Sequence, residues 1–127
     1  MSLRGEILLG AAAMLLCATA VSAETLKLEG SWKSSLGPWK GASRMTITEL
    51  SGTRLAGTSQ ASDGLCVGEH PVEGQLRNGR WKLVTRPGGM CKEMRIELVR
   101  QGDTWSGTYE LVGPAPDKGT NTLKVVK

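Results

Sequence analysis

Turn signals recur at short intervals along this chain, and that spacing limits what it can fold into. Ser51-Gly52, Asp63-Gly64, Asn78-Gly79, Gly88-Gly89 and Gly102-Asp103 all carry residues that accept a positive φ or close a turn on their own backbone. Between them lie short runs in which apolar and polar residues alternate, the period of a strand with one buried face. Beyond the N-terminal segment, no ten-residue stretch carries a helical apolar stripe. The runs predict eight strands, near 29–34, 44–50, 54–60, 70–77, 80–86, 92–100, 104–112 and 120–126.

The alternation also predicts which side chains point inward. Trp32, Met45 and Ile47 lead the first two strands, and Leu55, Gly57 and Ser59 share a face of the third. Val72, Gly74 and Leu76 align on the fourth strand, and Trp81, Leu83 and Thr85 on the fifth. Asn78-Gly79 is a two-residue hairpin turn that sets Leu76 opposite Trp81 on one face, so the register is self-consistent. Met94, Ile96 and Leu98, then Trp105, Gly107, Tyr109 and Leu111, then Leu123 and Val125 complete the inner set, with 113–119 a loop. Eight short antiparallel strands with one apolar face must curl to hide it, and closure removes the exposed edges. The expected fold is all-β, an eight-stranded antiparallel up-and-down β-barrel with one disulfide, with a small two-sheet sandwich as the alternative.

The N-terminus reads as a secretion signal. Arg4 supplies a positive start, Ile7 to Leu16 an apolar core, and Val21-Ser22-Ala23 a small-x-small cleavage site. The apolar core is too short to span a bilayer, and no later segment approaches the roughly 20 residues a span needs. Lipidation at Cys17 is the alternative, disfavoured by Leu16 just before it. The division is therefore a signal peptide over 1–23 and a single domain over 24–127, destined for the periplasm or beyond. Cys17 leaves with the signal, and the remaining pair, Cys66 and Cys91, reads as one disulfide in an oxidising compartment. In the chain-entropy view such a link stabilises by about 3 kcal/mol.

The formal net charge is +4. An exported chain of that charge meets envelope polymers, proteins and small molecules, and nucleic acid is not an expected partner. Arg77, Arg80, Lys82 and Arg86 alternate outward on the central hairpin, where a solvated outer wall is the expected role. His70 is the only histidine. No His, Cys and Asp grouping has metal-ligand spacing, and no G-x-S-x-G nucleophile elbow is present, so neither a metal site nor an enzyme is expected.

The residues themselves resemble one family. Gly30-Ser31-Trp32-Lys33-Ser34-Ser35-Leu36-Gly37 resembles the opening strand of avidins and streptavidins, G-T-W-x-N-x-L-G. Met45-Thr46-Ile47 is similar to that family's second strand and Leu55-Ala56-Gly57-Thr58 to its third, L-x-G-T-Y. Trp81-Lys82 stands where the family has W-K on strand five, and Gly119-Thr120-Asn121-Thr122-Leu123 is similar to G-x-N/D-x-F near the C-terminus. Some bacterial avidins tie the loop after strand three to the loop after strand five, and Cys66 and Cys91 fall in those loops.

The resemblance implies a calycin-type barrel that binds a small molecule, without catalysis and without a cofactor, and it raises a homo-oligomer as a further expectation. Avidins hold the ureido oxygen of biotin with an Asn, a Ser and a Tyr, and the matching positions here are Ser34, Pro38 and Ser59. Asn121 matches the partner of a ureido nitrogen, Trp81 matches one aromatic wall, and Trp105 stands near the seventh-strand Trp. The implied ligand set is Ser34, Ser59, Trp81, Trp105 and Asn121, in the barrel mouth under the Cys66–Cys91 loop. Pro38 cannot donate and Ser59 is shorter than Tyr. Each buried hydrogen bond lost costs roughly 1–3 kcal/mol, so losing two or three removes about two to six orders of magnitude of affinity. That weighs against biotin itself as the ligand. The loop 37–44 is longer than in the family and offers Trp39 as a cover for the mouth. A second reading is an exported inhibitor of a hydrolase, a protease or lysozyme, acting through an N-terminal arm, Glu24–Leu28, or through the loops.

Overall fold

A computed structural model describes residues 25–126. The expected signal segment 1–23, the expected cleavage point after Ala23 and Cys17 lie outside the described residues. The described chain is eight strands: β1 (Leu26–Ser34), β2 (Lys40–Ser51), β3 (Arg54–Ala61), β4 (Gly68–Arg77), β5 (Arg80–Thr85), β6 (Glu93–Gln101), β7 (Thr104–Val112) and β8 (Asp117–Val125). Each pairs antiparallel with the next, and β1 closes on β8, so the sheet is the expected up-and-down barrel with no free edge. Among the described residues, no helix is long and apolar enough to cross a membrane.

The alternation fixes the interior. Leu28, Ile47, Leu55, Leu83, Ile96, Leu98 and Leu123 are all but sealed from solvent, and they meet Trp81 and Trp105 in one core. A barrel of eight strands is just wide enough for such side chains to fill. One irregularity adjusts the pattern. The register of β2 on β3 shifts between Ile47 and Glu49. This bulge lets Ile47 and Leu50, three residues apart, face the same side, since Leu50 is set directly opposite the buried Leu55.

The two ends of the barrel differ in how the strands are joined. At one end the connections are tight: Gly52-Thr53, Asn78-Gly79 and Gly102-Asp103. Asn78 and Gly79 have φ of 53° and 73°, the pair of left-handed residues that a type I′ hairpin turn demands. Leu76 pairs with Trp81 across that turn, as expected. At the other end the connections are longer, over 35–39, 62–67, 86–92 and 113–116.

Three sequence expectations shift. The expected arm Glu24–Leu28 is strand from Leu26 onward: Leu26 pairs with Ile47, and Leu28 pairs with both Met45 and Val125 and is buried. The ladders on both sides take up its backbone, so it is barrel wall rather than a projecting arm. The expected loop 37–44 is shorter, because β2 already begins at Lys40, opposite Lys33. The expected loop 113–119 ends early, because Asp117 and Lys118 pair with Leu111 and Glu110.

Candidate functional site

A cavity of about 300 Å³ opens at the end with the longer loops. Its inner wall is apolar, with Met45 from β2, Met94 and Ile96 from β6 and Leu111 from β7. Each is an inward position of an alternating strand, near the end where no hairpin turn closes the interior.

Three aromatic rings stand around this space: Trp32, Trp39 and Tyr109. Trp32 and Tyr109 meet edge to face, with centroids 6.0 Å apart and planes at 90°, the arrangement their ring quadrupoles favour. Trp32 is anchored at its polar tip, its Nε1 donating to the Ser62 carbonyl at 3.0 Å. Gly41, the partner of Trp32 across β2, makes that bond possible. A Cβ there would collide with the Ser62 carbonyl and sit 2.7 Å from Trp32 Nε1. Trp39 lines the mouth but remains 57% exposed.

The polar groups at the cavity are Ser43, Ser59, Asp63, Asp117 and Asn121, along with the Tyr109 hydroxyl. Asp117 is held from two sides. Ser34 Oγ donates to its Oδ1 at 2.6 Å, and Tyr109 Oη donates to its Oδ2 at 2.9 Å. Ser34 Oγ in turn accepts from the Leu36 amide at 3.0 Å, which ties the loop 35–39 to the same carboxylate. Burial pushes the Tyr109 phenol well above its usual range, and the hydrogen bond to Asp117 and that residue's charge raise it further. Asp63 sits in the left-handed region, φ 62°, a conformation Asp tolerates better than most residues. It accepts from Ser62 Oγ at 3.2 Å, and the same Oγ accepts the Ala42 amide at 2.8 Å.

Asn121 is the least satisfied of the group. It is only 6% exposed and lines the cavity, yet its Oδ1 has no hydrogen-bond partner. Thr85 Oγ1 and Trp105 Nε1 are also buried without a partner, but neither residue lines the cavity. A buried carbonyl left unpaired costs about 1–3 kcal/mol.

The rim is stapled. Cys66 and Cys91, 25 residues apart, form a disulfide joining the 62–67 and 86–92 loops, and Cys66 lines the cavity. Gly88 and Cys91 exchange both backbone hydrogen bonds, at 2.8 and 3.1 Å, which stiffens the second loop beside the link. His70 lies 3.2 Å from the Val67 carbonyl through Nε2, so its ring pins the first loop.

The sequence-derived ligand set divides in this geometry. Ser59 and Asn121 line the cavity together. Ser34 is buried behind Asp117, its hydroxyl proton committed to that carboxylate. Trp81 and Trp105 lie outside the lining: they stack on each other 3.7 Å apart at an interplanar angle of 23°, near the hairpin turns. Arg100 caps them, its guanidinium carbon 5.9 Å from the Trp105 ring centre. The outward cations of the central hairpin are partly neutralised, Arg80 by Glu97 and Arg86 by Glu93, each at 3.2 Å.

Sequence reasoning favours packing over pocket lining for Trp32 and has no ligand role for Tyr109, Asp63 or Asp117. The period-two pattern did carry a signal for Asp117. Stepping back by twos from Asn121 reaches Gly119 and then Asp117, all on one face of β8. The Gly-Pro-Ala-Pro composition of 113–116 masked it.

No protein-family model matches the chain, and no curated protein matches it. Among solved structures, the chain is similar to the protein in the crystal structure of a short afifavidin–biotin complex. The two share 17% sequence identity over 77% of this chain and 88% of that one, with a TM-score of 0.47.

Proposed function

We propose that this protein is an exported, non-catalytic binding protein that holds one small organic molecule in the loop end of its barrel. The observation that carries the reading is the apolar cavity of about 300 Å³ with the buried Asn121 and Ser59 among its lining residues. Preformed, mainly apolar pockets with a few convergent polar groups are the usual form of a small-molecule site, and this volume lies at the small end of that range. The avidin-like motifs of the strands support the same reading. Biotin is disfavoured within it, because Ser34 is committed to Asp117 and Pro38 offers no donor.

The test is a titration of the purified protein with biotin and a panel of small metabolites, followed by tryptophan fluorescence and melting temperature. Trp32 and Trp39 border the cavity, so a bound molecule changes their emission. For any ligand found, Asn121→Ala should weaken binding by about tenfold, the worth of one buried hydrogen bond. Silence across the whole panel would sink the reading.

A further inference from the structure

The charge of the cavity runs against the charge of the chain. The formal net charge is +4, yet the charged residues lining the cavity are Asp63 and Asp117, with no Lys, Arg or His among them. Its neutral polar side chains are Ser43, Ser59, Asn121 and the Tyr109 hydroxyl. The Tyr109 proton is already committed to Asp117. Each Asp117 oxygen accepts one bond from the protein and keeps a free lone pair. Around these acceptors stand Trp32 and Tyr109, set at right angles, and Trp39 at the mouth.

We infer that the cavity takes an organic ammonium ion, a protonated primary or secondary amine on a small apolar body. An ammonium group needs a paired negative charge to leave water, and Asp117 supplies one already oriented by Ser34 and Tyr109. It gains further from aromatic faces. Its N–H groups donate to the lone pairs that the Asp117 oxygens keep free, which a quaternary ammonium, having no N–H, cannot do. The apolar body packs on Met45, Met94 and Ile96. The closed end of the same barrel offers an internal parallel, with the Arg100 cation over Trp105. At the open end the aromatic rings and carboxylates are present, and among the described residues no cationic side chain lines the space. This assignment rests on the small-molecule reading above and specifies its ligand class.

Calorimetry on the purified protein with three probes of one shape tests it: 2-phenylethylamine, 2-phenylethanol and 3-phenylpropionate. The amine should bind at least tenfold tighter than the alcohol, and the carboxylate weakest of the three. N-methylation to the secondary amine should be tolerated, and trimethylation should lose several-fold. Asp117→Asn should remove most of the preference of amine over alcohol. If that variant does not fold, Asp63→Asn, on an exposed loop, should reduce the same preference by a smaller factor. Equal or tighter binding of the alcohol or the carboxylate overturns the ammonium assignment and leaves the small-molecule reading standing. Binding of none of the three, nor of any member of the metabolite panel, overturns both.

Discussion

The hairpin end and the loop end of this barrel share the same eight strands but end in opposite states. At the hairpin end, Trp81 and Trp105 stack directly, with Leu98 fully buried in the same core and Arg100 over the Trp105 ring. At the loop end, Trp32 and Tyr109 meet edge to face and leave a cavity beside them. Longer loops need external fastening, here a disulfide, the Trp32–Ser62 bond and the Ser34–Asp117–Tyr109 chain. The contrast teaches a division of labour: one end holds the fold, and the other is held open.

The largest effect that can break this comparison is on the packed end. Trp81→Ala should cost about 3–5 kcal/mol in equilibrium denaturation, since it removes a buried ring and leaves its stacking partner unsupported. Met94→Ala, whose side chain already borders empty space, should cost about 2 kcal/mol or less, the low end of such truncations. Equal losses from the two substitutions would mean that the ends are equally packed, and the division would fail.

Next in size is the staple. Replacing Cys66 and Cys91 together by Ser should lower stability by about 3 kcal/mol, the chain-entropy worth of a loop of this length. Because Cys66 borders the cavity, the loss should come with increased hydrogen exchange in 62–67 and 86–92 and little change around Asn78-Gly79. Uniform loosening of both ends would show that the link supports the whole barrel rather than its mouth.

How far the sequence could foresee each end follows from the same physics. The hairpin end was legible because its instructions are local: Asn78-Gly79 dictates a turn type, the turn dictates a register, and the register sets Leu76 against Trp81. Strand faces were legible for the same reason, since alternation needs no knowledge of distant partners. Height along the barrel was not. Trp81, Trp105, Ser59 and Asn121 all read as inward, but strand tilt and stagger decide which inward residues meet. Those quantities belong to the closed sheet and not to any one strand. The Asp117 carboxylate was hidden differently: Tyr109, 8 residues away, meets it across the β7–β8 pairing, but Ser34, 83 residues away, reaches it only through closure of β1 on β8.

The smallest and most selective effect concerns the dryness of the loop end. Tyr109 is the only tyrosine in the chain, so its ionisation can be followed by ultraviolet absorbance without interference from another phenol. In the folded protein burial raises its pKa above the usual value near 10, and the bond to Asp117 raises it further. The unfolded phenol ionises near 10, so its preference for the folded, neutral form is worth nothing extra below that pH and turns into a loss of stability above it. As pH rises past 10 the unfolded state sheds a proton that the folded state retains, and the folded state is favoured less with each step. The native protein should therefore show no phenolate step near pH 10, and the step should appear there on addition of denaturant. Asp117→Asn removes the charge but not the burial, so the native step should move down and still lie above that of the unfolded chain. An ordinary titration near pH 10 in the native protein would mean that water reaches the Tyr109 hydroxyl freely. The loop end would then be a solvated funnel, too wet to hold a carboxylate poised for a ligand.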